Sequence, residues 1–274
     1  MIVNFHQINQ HFFRSALSLL MGSQKKWLSE TIDWQQEIAT FQTSDFSYPS
    51  YYTLANFHGI EGGYLNPIAA LTYDIVTPLA TPPNEQWIRH CLLNAIKIKP
   101  QKILDLGCGT GSNTIILKKR FPDALIVGLD LSPYMLIIAQ DKAQQKKLAI
   151  HWQQGLAEAT NFPSGSYDLV TISMVLHETP TKICQEILQE SFRLLKPGGQ
   201  LIILDANQKR LSKAQWLIKL FKEPYSSVYS QGNITTCLNQ VGFQQILSKP
   251  IWWIYQVTDA CKPVTSAQKQ RKDE

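Results

Sequence analysis

The sequence predicts an α/β fold built around a doubly wound, mostly parallel sheet of seven strands. From residue 87 to 258, short apolar runs alternate with segments of helical spacing. The apolar runs lack polar alternation, which is typical of strands that helices bury on both faces. This alternation of strands and helices favours a parallel, doubly wound sheet over a sandwich or a helical bundle.

Five parallel strands are predicted first. They cover residues 103–106, 124–129, 149–152, 169–173 and 201–204. A helix start is predicted at Ser132, where a capping side chain precedes Pro133 at the first helical position. Thr179 followed by Pro180 predicts a second helix start of the same kind.

The last part of the core predicts a closing antiparallel pair. The Lys-Pro-Gly-Gly sequence at 196–199 ends the fourth helix and leads into the fifth strand. The apolar runs 243–247 and 252–257 follow, and the short link 248–250 between them favours antiparallel pairing. These two runs complete the seven strands.

The pattern divides the chain into three regions. Residues 1–86 form an N-terminal helical and lid region, with helical apolar spacing at its start and many aromatic residues after it. Residues 87–258 form the core, in which residues 207–232 are an apolar cap inserted before the last helix. Residues 259–274 are polar and are expected to be a disordered tail.

Composition excludes several classes of protein. Hydrophobic residues make up 44% of the 274 residues and charged residues 17%, which excludes collagen-like, coiled-coil and wholly disordered chains. The net charge of +5 is mild and is not concentrated on one element, so no nucleic-acid partner is expected.

Cysteine usage and hydropathy indicate the compartment. The five cysteines are far apart and form no CxxC pair, so no metal site is expected and a reduced, cytoplasmic location fits best. No apolar run approaches the length of a membrane span. The apolar stretch at 12–21 lacks the basic leader and cleavage site of a signal peptide.

A glycine-rich loop follows the first strand. The sequence LDLGCGTG at 104–111 leads from that strand into a helix. Its glycines allow close approach of a ligand, and the free N–H groups of the helix start suit oxygen or anionic groups. Ser112 stands where a dinucleotide fingerprint needs its third glycine, and no lysine follows at the spacing of a nucleotide triphosphate loop.

Asp130 ends the second strand. A carboxylate at this place can accept hydrogen bonds from both hydroxyls of a ribose. Together with the glycine loop it indicates an adenosine-type ligand, and these residues alone leave both NAD and S-adenosylmethionine open.

Four motifs in order resemble those of the class I S-adenosylmethionine-dependent methyltransferases, which have a Rossmann-like fold. They are LDLGCGTG at 104–111, Asp130, SYDLV at 166–170 and LLKPGG at 194–199. Within the class, the chain looks most like the ubiquinone/menaquinone C-methyltransferase-type branch. The sequences AEAT at 157–160 and HETP at 177–180 resemble turns of such proteins.

The resemblance implies S-adenosyl-L-methionine as cofactor and places residues around it. Those implied for the methionine part are Asp105, Gly107, Cys108 and Gly109. Those implied for the ribose, the adenine and the sulfonium end are Asp130, Leu131, Leu156, Ala157, Ser173 and Met174. Many relatives carry Asp where this chain has Leu156, so the contact to the adenine amino group comes from backbone or Glu158, or is absent.

Residues that could act on the acceptor come from two places. His177 follows the fourth strand, at the edge where doubly wound folds place substrates, and an imidazole titrates near neutral pH. Glu178 beside it could instead favour the dipole of the next helix. The aromatic lid supplies Tyr52 and His58 as further catalytic candidates, and its rings suit an apolar acceptor and a sulfonium charge.

The expected function is methyl transfer to a small hydrophobic or aromatic molecule. The sequence leaves open a methyltransferase that acts on RNA or protein, or a non-catalytic protein that binds the cofactor. The glycine spacing disfavours an NAD-dependent oxidoreductase.

Overall fold

The structure is a computed structural model. It describes residues 32–41, 46–58, 60, 62–80 and 85–264. The helical spacing predicted near the start of the chain lies outside the described residues up to residue 31, as does the predicted tail beyond residue 264.

In the part of the chain that the structure describes, seven strands form one sheet, which confirms the predicted fold class. They are β1 (Lys102–Leu106), β2 (Leu125–Asp130), β3 (His151–Gln154), β4 (Tyr167–Ser173), β5 (Leu195–Ala206), β6 (Gln244–Ile251) and β7 (Tyr255–Cys261). Their spatial order is β3-β2-β1-β4-β5-β7-β6. The first five strands are parallel, and β7 pairs antiparallel with both β5 and β6.

Helices surround the sheet and precede it. Before the sheet lie α1 (Trp34–Phe41), α2 (Ser50–Thr53), α3 (Pro67–Ala80) and α4 (Glu85–Asn94). Between β1 and β5 along the chain lie α5 (Ser112–Arg120), α6 (Pro133–Gln145), a 3-10 turn (Leu176–Glu178) and α7 (Thr181–Leu194). After β5 come α8 (Gln208–Leu211), α9 (Gln215–Phe221), α10 (Ser226–Tyr229) and α11 (Ile234–Val241). None of the helices in these ranges is long and apolar enough to cross a bilayer.

The core lies on both faces of the sheet because successive strand residues point to opposite sides. In β5, Leu201 and Ile203 pack with α7 and α11, whereas Ile202 and Leu204 pack with α4 and α5. All four are at most 1% exposed. Burial on both faces explains why these strands read as continuous apolar runs.

The two predicted helix starts differ. Ser132 caps α6 as predicted, since its hydroxyl accepts a hydrogen bond from the Met135 N–H at 3.3 Å. Helix α7 begins one residue later than predicted, because Pro180 is the capping residue and not the first helical residue. The Thr179 hydroxyl instead donates to the carbonyl of Leu176.

The closing strands correct two expectations. Strand β6 continues through the predicted link at 248–250, and the turn falls at 252–254, where Trp252 has a positive φ. Strand β7 runs to Cys261, so the tail does not begin at 259. The strand continues because Gln200 of β5 pairs with Cys261 and its side chain bonds the buried Asp259.

Candidate functional site

A pocket lies at the edge of the sheet where the parallel strands β1, β2 and β4 end. Its volume is about 970 Å³, including the open mouth. It is lined by all ten residues predicted to bind the cofactor: Asp105, Gly107, Cys108, Gly109, Asp130, Leu131, Leu156, Ala157, Ser173 and Met174. Of the three predicted catalytic residues, Tyr52 lines the pocket, whereas His58 and His177 do not.

The glycine loop after β1 needs glycine at two positions for different reasons. Gly107 has a φ of 66°, and a Cβ there would collide with Cγ2 of Val175. Gly109 has a φ of 53°, and a Cβ there would meet no atom within 4 Å. Gly107 therefore permits close packing of the loop, whereas the space beside Gly109 is available to a ligand.

Asp130 is held by backbone donors at the end of β2. Its Oδ2 accepts from the Gly109 N–H at 2.7 Å, and its Oδ1 accepts from the Ser132 N–H at 2.9 Å. Burial raises the pKa of this carboxyl to about 6, although the two N–H groups counteract it. At neutral pH the group is a carboxylate with free lone pairs, which suits the hydroxyls of a ribose.

Asp105 is a structural anchor at the floor of the pocket. Its Oδ1 accepts from the Thr171 hydroxyl at 2.6 Å and from Asn113, and its Oδ2 accepts from the Thr114 hydroxyl at 2.6 Å. Burial raises the pKa of Asp105. These bonds tie β1 to β4 and to α5, so Asp105 shapes the loop that surrounds a ligand.

Cys108 is buried within the loop. Burial and the nearby Asp130 and Asp105 carboxylates raise the pKa of its thiol well above the ordinary value. A thiol that remains protonated is a poor nucleophile, so Cys108 is a small buried side chain of the loop and not a reactive thiolate.

The end of β4 leaves one polar atom without a partner. Ser173 Oγ is buried and makes no hydrogen bond within the described residues. Buried polar atoms in proteins are nearly always satisfied, so this hydroxyl marks a place for a ligand. With the open space at Gly109 and the carboxylate of Asp130, it fits the cofactor that the resemblance implies.

The loop after β3 carries the residues expected at the adenine. Leu156, Ala157 and Glu158 all line the pocket, as does Leu131 after β2. The Glu158 carboxylate accepts a hydrogen bond from the Tyr51 hydroxyl at 2.8 Å. The loop after β3 is thus attached to the N-terminal region across the mouth of the pocket.

Glu178 connects the lid to the pocket through two hydrogen bonds. Its Oε1 accepts from the Tyr64 hydroxyl at 2.8 Å and bonds His58 Nε2 at 2.9 Å. Burial opposes the charged form of both groups, but their mutual attraction outweighs it, which raises the pKa of His58 and lowers that of Glu178. The contact therefore favours the charged form of each group, and Glu178 lines the pocket.

Tyr52 is fixed by packing and by a backbone donor. Its hydroxyl accepts from the Tyr64 N–H at 2.9 Å, and its ring stacks on Phe57 with centroids 4.7 Å apart. Burial raises the pKa of Tyr52 well above its usual range. The residue stays a neutral phenol that can donate its O–H into the pocket.

His177, which the sequence predicts as a catalytic residue, does not line the pocket. Its Nδ1 lies 2.6 Å from Asp205 Oδ1, and its Nε2 lies 3.9 Å from Glu223 Oε1. Burial alone would lower the pKa of His177, but these carboxylates raise it to about 10. Both ring nitrogens point away from the pocket toward β5 and the cap, because the 3-10 turn directs the next residue, Glu178, inward.

Sequence reasoning missed the contacts that hold the lid on the glycine loop. Asp74 of α3 accepts from the Thr110 hydroxyl at 2.7 Å and from Ser112 at 3.2 Å. Lys142 of α6 lies 2.7 Å from the same carboxylate. Asp74 lies in the predicted lid region of residues 1–86, and nothing in the spacing of these residues predicts that they meet.

Arg89 is a second residue that the sequence did not reveal. It lines the pocket, is 8% exposed and pairs with Glu85 four residues earlier. That spacing is typical of a solvated helix surface, so only the packing of α4 on the sheet edge shows the cation to be buried. Within the described ranges, no group of three or more His, Cys, Asp or Glu side chains is placed to hold a metal ion.

The chain is similar in sequence to known methyltransferases. Residues 103–199 match the family model of a methyltransferase domain. The chain is 36% identical over 134 residues to the demethylmenaquinone methyltransferase of Thermus thermophilus, covering 48% of this chain and 60% of that protein. It is 33% identical over 182 residues to an uncharacterized methyltransferase of Synechocystis sp., covering 62% of this chain and 81% of that protein.

Coverage differs among the relatives. The chain spans 60%, 55% and 43% of the length of three curated demethylmenaquinone methyltransferases, from Thermus thermophilus, Deinococcus radiodurans and Lactococcus lactis. Among solved structures, it is similar to phosphoethanolamine N-methyltransferase 2 of Haemonchus contortus in complex with S-adenosyl-L-methionine, with a TM-score of 0.58 and 16% identity. That match covers 72% of this chain and 57% of the other, and it supports the fold.

Proposed function

The chain belongs to the class I S-adenosylmethionine-dependent methyltransferases and resembles their ubiquinone/menaquinone C-methyltransferase branch, and on this premise we propose that it transfers a methyl group to a small hydrophobic or aromatic acceptor. The observation that carries the proposal is the pocket itself. The glycine loop and Asp130 line one part of it. The aromatic lid residues and the carboxylate of Glu178 line another.

On the cofactor side, we assign the ribose to Asp130. Its two oxygens are already oriented by the N–H groups of Gly109 and Ser132. Leu131, Leu156 and Ala157 would bracket the adenine, and the buried Ser173 hydroxyl would bond a polar group near the methionine end. When bound, S-adenosylmethionine supplies a methyl group activated by its sulfonium.

On the acceptor side, we assign orientation to Tyr52 and Glu178. The phenol of Tyr52 can donate to an acceptor oxygen, and the carboxylate of Glu178 can accept a hydrogen bond from an acceptor hydroxyl. His58 pairs with that carboxylate and is a positioning residue. The acceptor loses a proton as it gains the methyl group, and Glu178 lies where it can receive it.

The class of acceptor is proposed from the lining and the relatives. Tyr51, Tyr52, Phe57, Tyr64 and Tyr73 line the pocket, which suits a flat aromatic molecule. Several relatives are named for demethylmenaquinone, so a quinone-like aromatic acceptor is the first to test. The proposed location remains a reduced, cytoplasmic compartment, which agrees with five free cysteines.

The test is transfer of label from methyl-labelled S-adenosylmethionine to a reduced demethylnaphthoquinone, with RNA and protein extract offered separately. We expect label in the organic phase. Replacing Glu178→Gln should lower kcat by about 10- to 100-fold while the cofactor Kd changes by less than about twofold. Glu186→Gln, which alters a half-exposed carboxylate of α7 that pairs with Lys182 and does not line the pocket, is the matched control.

Two results would contradict the proposal. Label that appears only in RNA or protein would indicate a macromolecular acceptor. Cofactor binding without transfer to any of the three acceptors would indicate a non-catalytic binding protein.

A further inference from the structure

A contiguous apolar patch is exposed on the outer side of the cap. Trp216 and Leu220 lie one turn apart on α9 and are 57% and 54% exposed. Trp253, in the turn between β6 and β7, is 51% exposed, and its ring centroid lies 6.1 Å from that of Trp216. Arg210 donates to the carbonyls of Trp252 and Trp253, which fixes this turn against the cap.

The same segment is locally basic, although basic residues also occur along the rest of the chain. Residues 207–222 contain five basic residues and no acidic residue: Lys209, Arg210, Lys213, Lys219 and Lys222. All five are exposed. The rest of the chain has 21 basic residues to balance 21 acidic residues, so the whole net charge of +5 equals the charge of this segment.

We propose that this cap face, which comprises Trp216, Leu220, Trp252, Trp253 and the five basic residues, docks on the surface of an anionic lipid bilayer. Tryptophan and leucine side chains enter the boundary between headgroups and acyl chains. Basic side chains around them bind anionic headgroups. A polyanion would bind the basic side chains but would leave the tryptophan and leucine side chains in water. A surface that carries both therefore favours a bilayer over a polyanion.

The cap face is connected to the pocket. Helix α9 ends at Phe221, whose carbonyl oxygen accepts a hydrogen bond from His58 Nδ1 at 3.2 Å. His58 in turn holds Glu178 in the pocket wall. Docking would therefore place the contact between lid and cap near the bilayer, where an apolar acceptor is dissolved; this last consequence rests on the proposed function.

The test is sedimentation of the full chain with lipid vesicles. One set contains equal parts of phosphatidylcholine and phosphatidylglycerol, and the other contains phosphatidylcholine alone. We expect binding to the anionic vesicles at least about tenfold tighter than to the neutral ones, with a steep loss as salt is added. Tryptophan fluorescence should shift to shorter wavelength on binding, which basic residues alone would not produce.

Two double variants separate the apolar and charged contributions. Trp216→Ser with Trp253→Ser, and Lys213→Glu with Lys219→Glu, should each weaken binding to anionic vesicles by at least about tenfold. The controls are Leu125→Ser, which alters a 69%-exposed leucine at the start of β2, and Lys119→Glu at the end of α5. All variants should retain cofactor binding by calorimetry, which shows that they fold and is independent of methyl transfer.

Three outcomes would overturn the inference. The first is equal binding to neutral and anionic vesicles, and the second is an equal loss in the control variants. The third is absence of vesicle binding together with self-association or RNA binding that the same double variants remove, since the face would then serve another partner.

Discussion

Asp130 combines the cost of burying a carboxylate with the ribose-binding role that we propose for it. It is removed from water at the end of β2, and this burial raises its pKa to about 6. Among the described residues, two backbone N–H groups donate hydrogen bonds that stabilise its charge. Its ionised form is therefore poised to gain from further donors, such as the hydroxyls of a ribose.

The first prediction concerns the pH dependence of cofactor affinity. Because the proposed contact needs a carboxylate, affinity should be constant above pH 7 and should fall as pH drops through about 6. Calorimetric titration of S-adenosylmethionine between pH 8 and pH 5 measures this.

Asp130→Ala should bind the cofactor at least about tenfold more weakly and should lose the pH dependence. A flat affinity in the unaltered chain would disprove the ribose assignment, and Asp141→Asn, on the exposed side of α6, is the control.

At the scale of elements, the 3-10 turn after β4 decides which polar residue faces the pocket. Asp205 of β5 accepts from the Leu176 N–H at 2.8 Å and pairs with His177 Nδ1. The turn is thereby fixed to β5, and Glu178 is directed to the lid. The ion pair is buried, so removal of one partner leaves the other charge without compensation.

The second prediction is that His177 contributes to stability and not to chemistry. Its folded pKa of about 10 lies above the unfolded value of 6.5, so its stabilising contribution is complete below pH 6.5 and is lost as pH rises toward 10. His177→Ala should lower the free energy of unfolding by about 3 to 5 kcal/mol at pH 6. Urea unfolding should show a smaller difference from the unaltered chain at pH 10.

The control for this variant is His90→Ala, which alters an exposed histidine of α4. The interpretation would be wrong if His177→Ala unfolded at the same urea concentration as the unaltered chain but turned over far more slowly. That result would indicate that His177 takes part in the methyl-transfer reaction.

At the scale of the molecule, the lid is joined to the core by polar contacts as well as by aromatic packing. Asp74 binds the hydroxyls of the glycine loop and pairs with Lys142, whose pKa burial lowers. The Ser132 hydroxyl donates to the carbonyl of Tyr64 at 2.6 Å. The shape of the pocket therefore depends on the lid lying against both α6 and the loop after β1.

The third prediction tests this connection. Lys142→Met should leave the Asp74 carboxylate without its cation, loosen the glycine loop and weaken cofactor binding by about tenfold. Lys182→Met removes an exposed lysine that pairs with Glu186 four residues later, and it should change the affinity by less than about twofold. Equal affinities in the two variants would show that the lid does not influence the loop.

The sequence by itself determined the parts of this protein that consecutive residues specify. The parallel strands follow from apolar runs buried on both faces, and the turns at Gly107 and Gly109 follow from the positive φ values that glycine adopts most readily. Asp130 was predictable as well, because the end of a parallel strand always lies at the ligand-binding edge.

Only the tertiary structure decided which distant side chains meet. His58 and Glu178 are 120 positions apart, and their contact depends on how the lid packs against the sheet edge. The contacts of His177 with Asp205 and Glu223 likewise depend on the 3-10 turn, which directs neighbouring side chains to different surroundings. Such contacts arise from packing between separate elements, and no local pattern of residues encodes them.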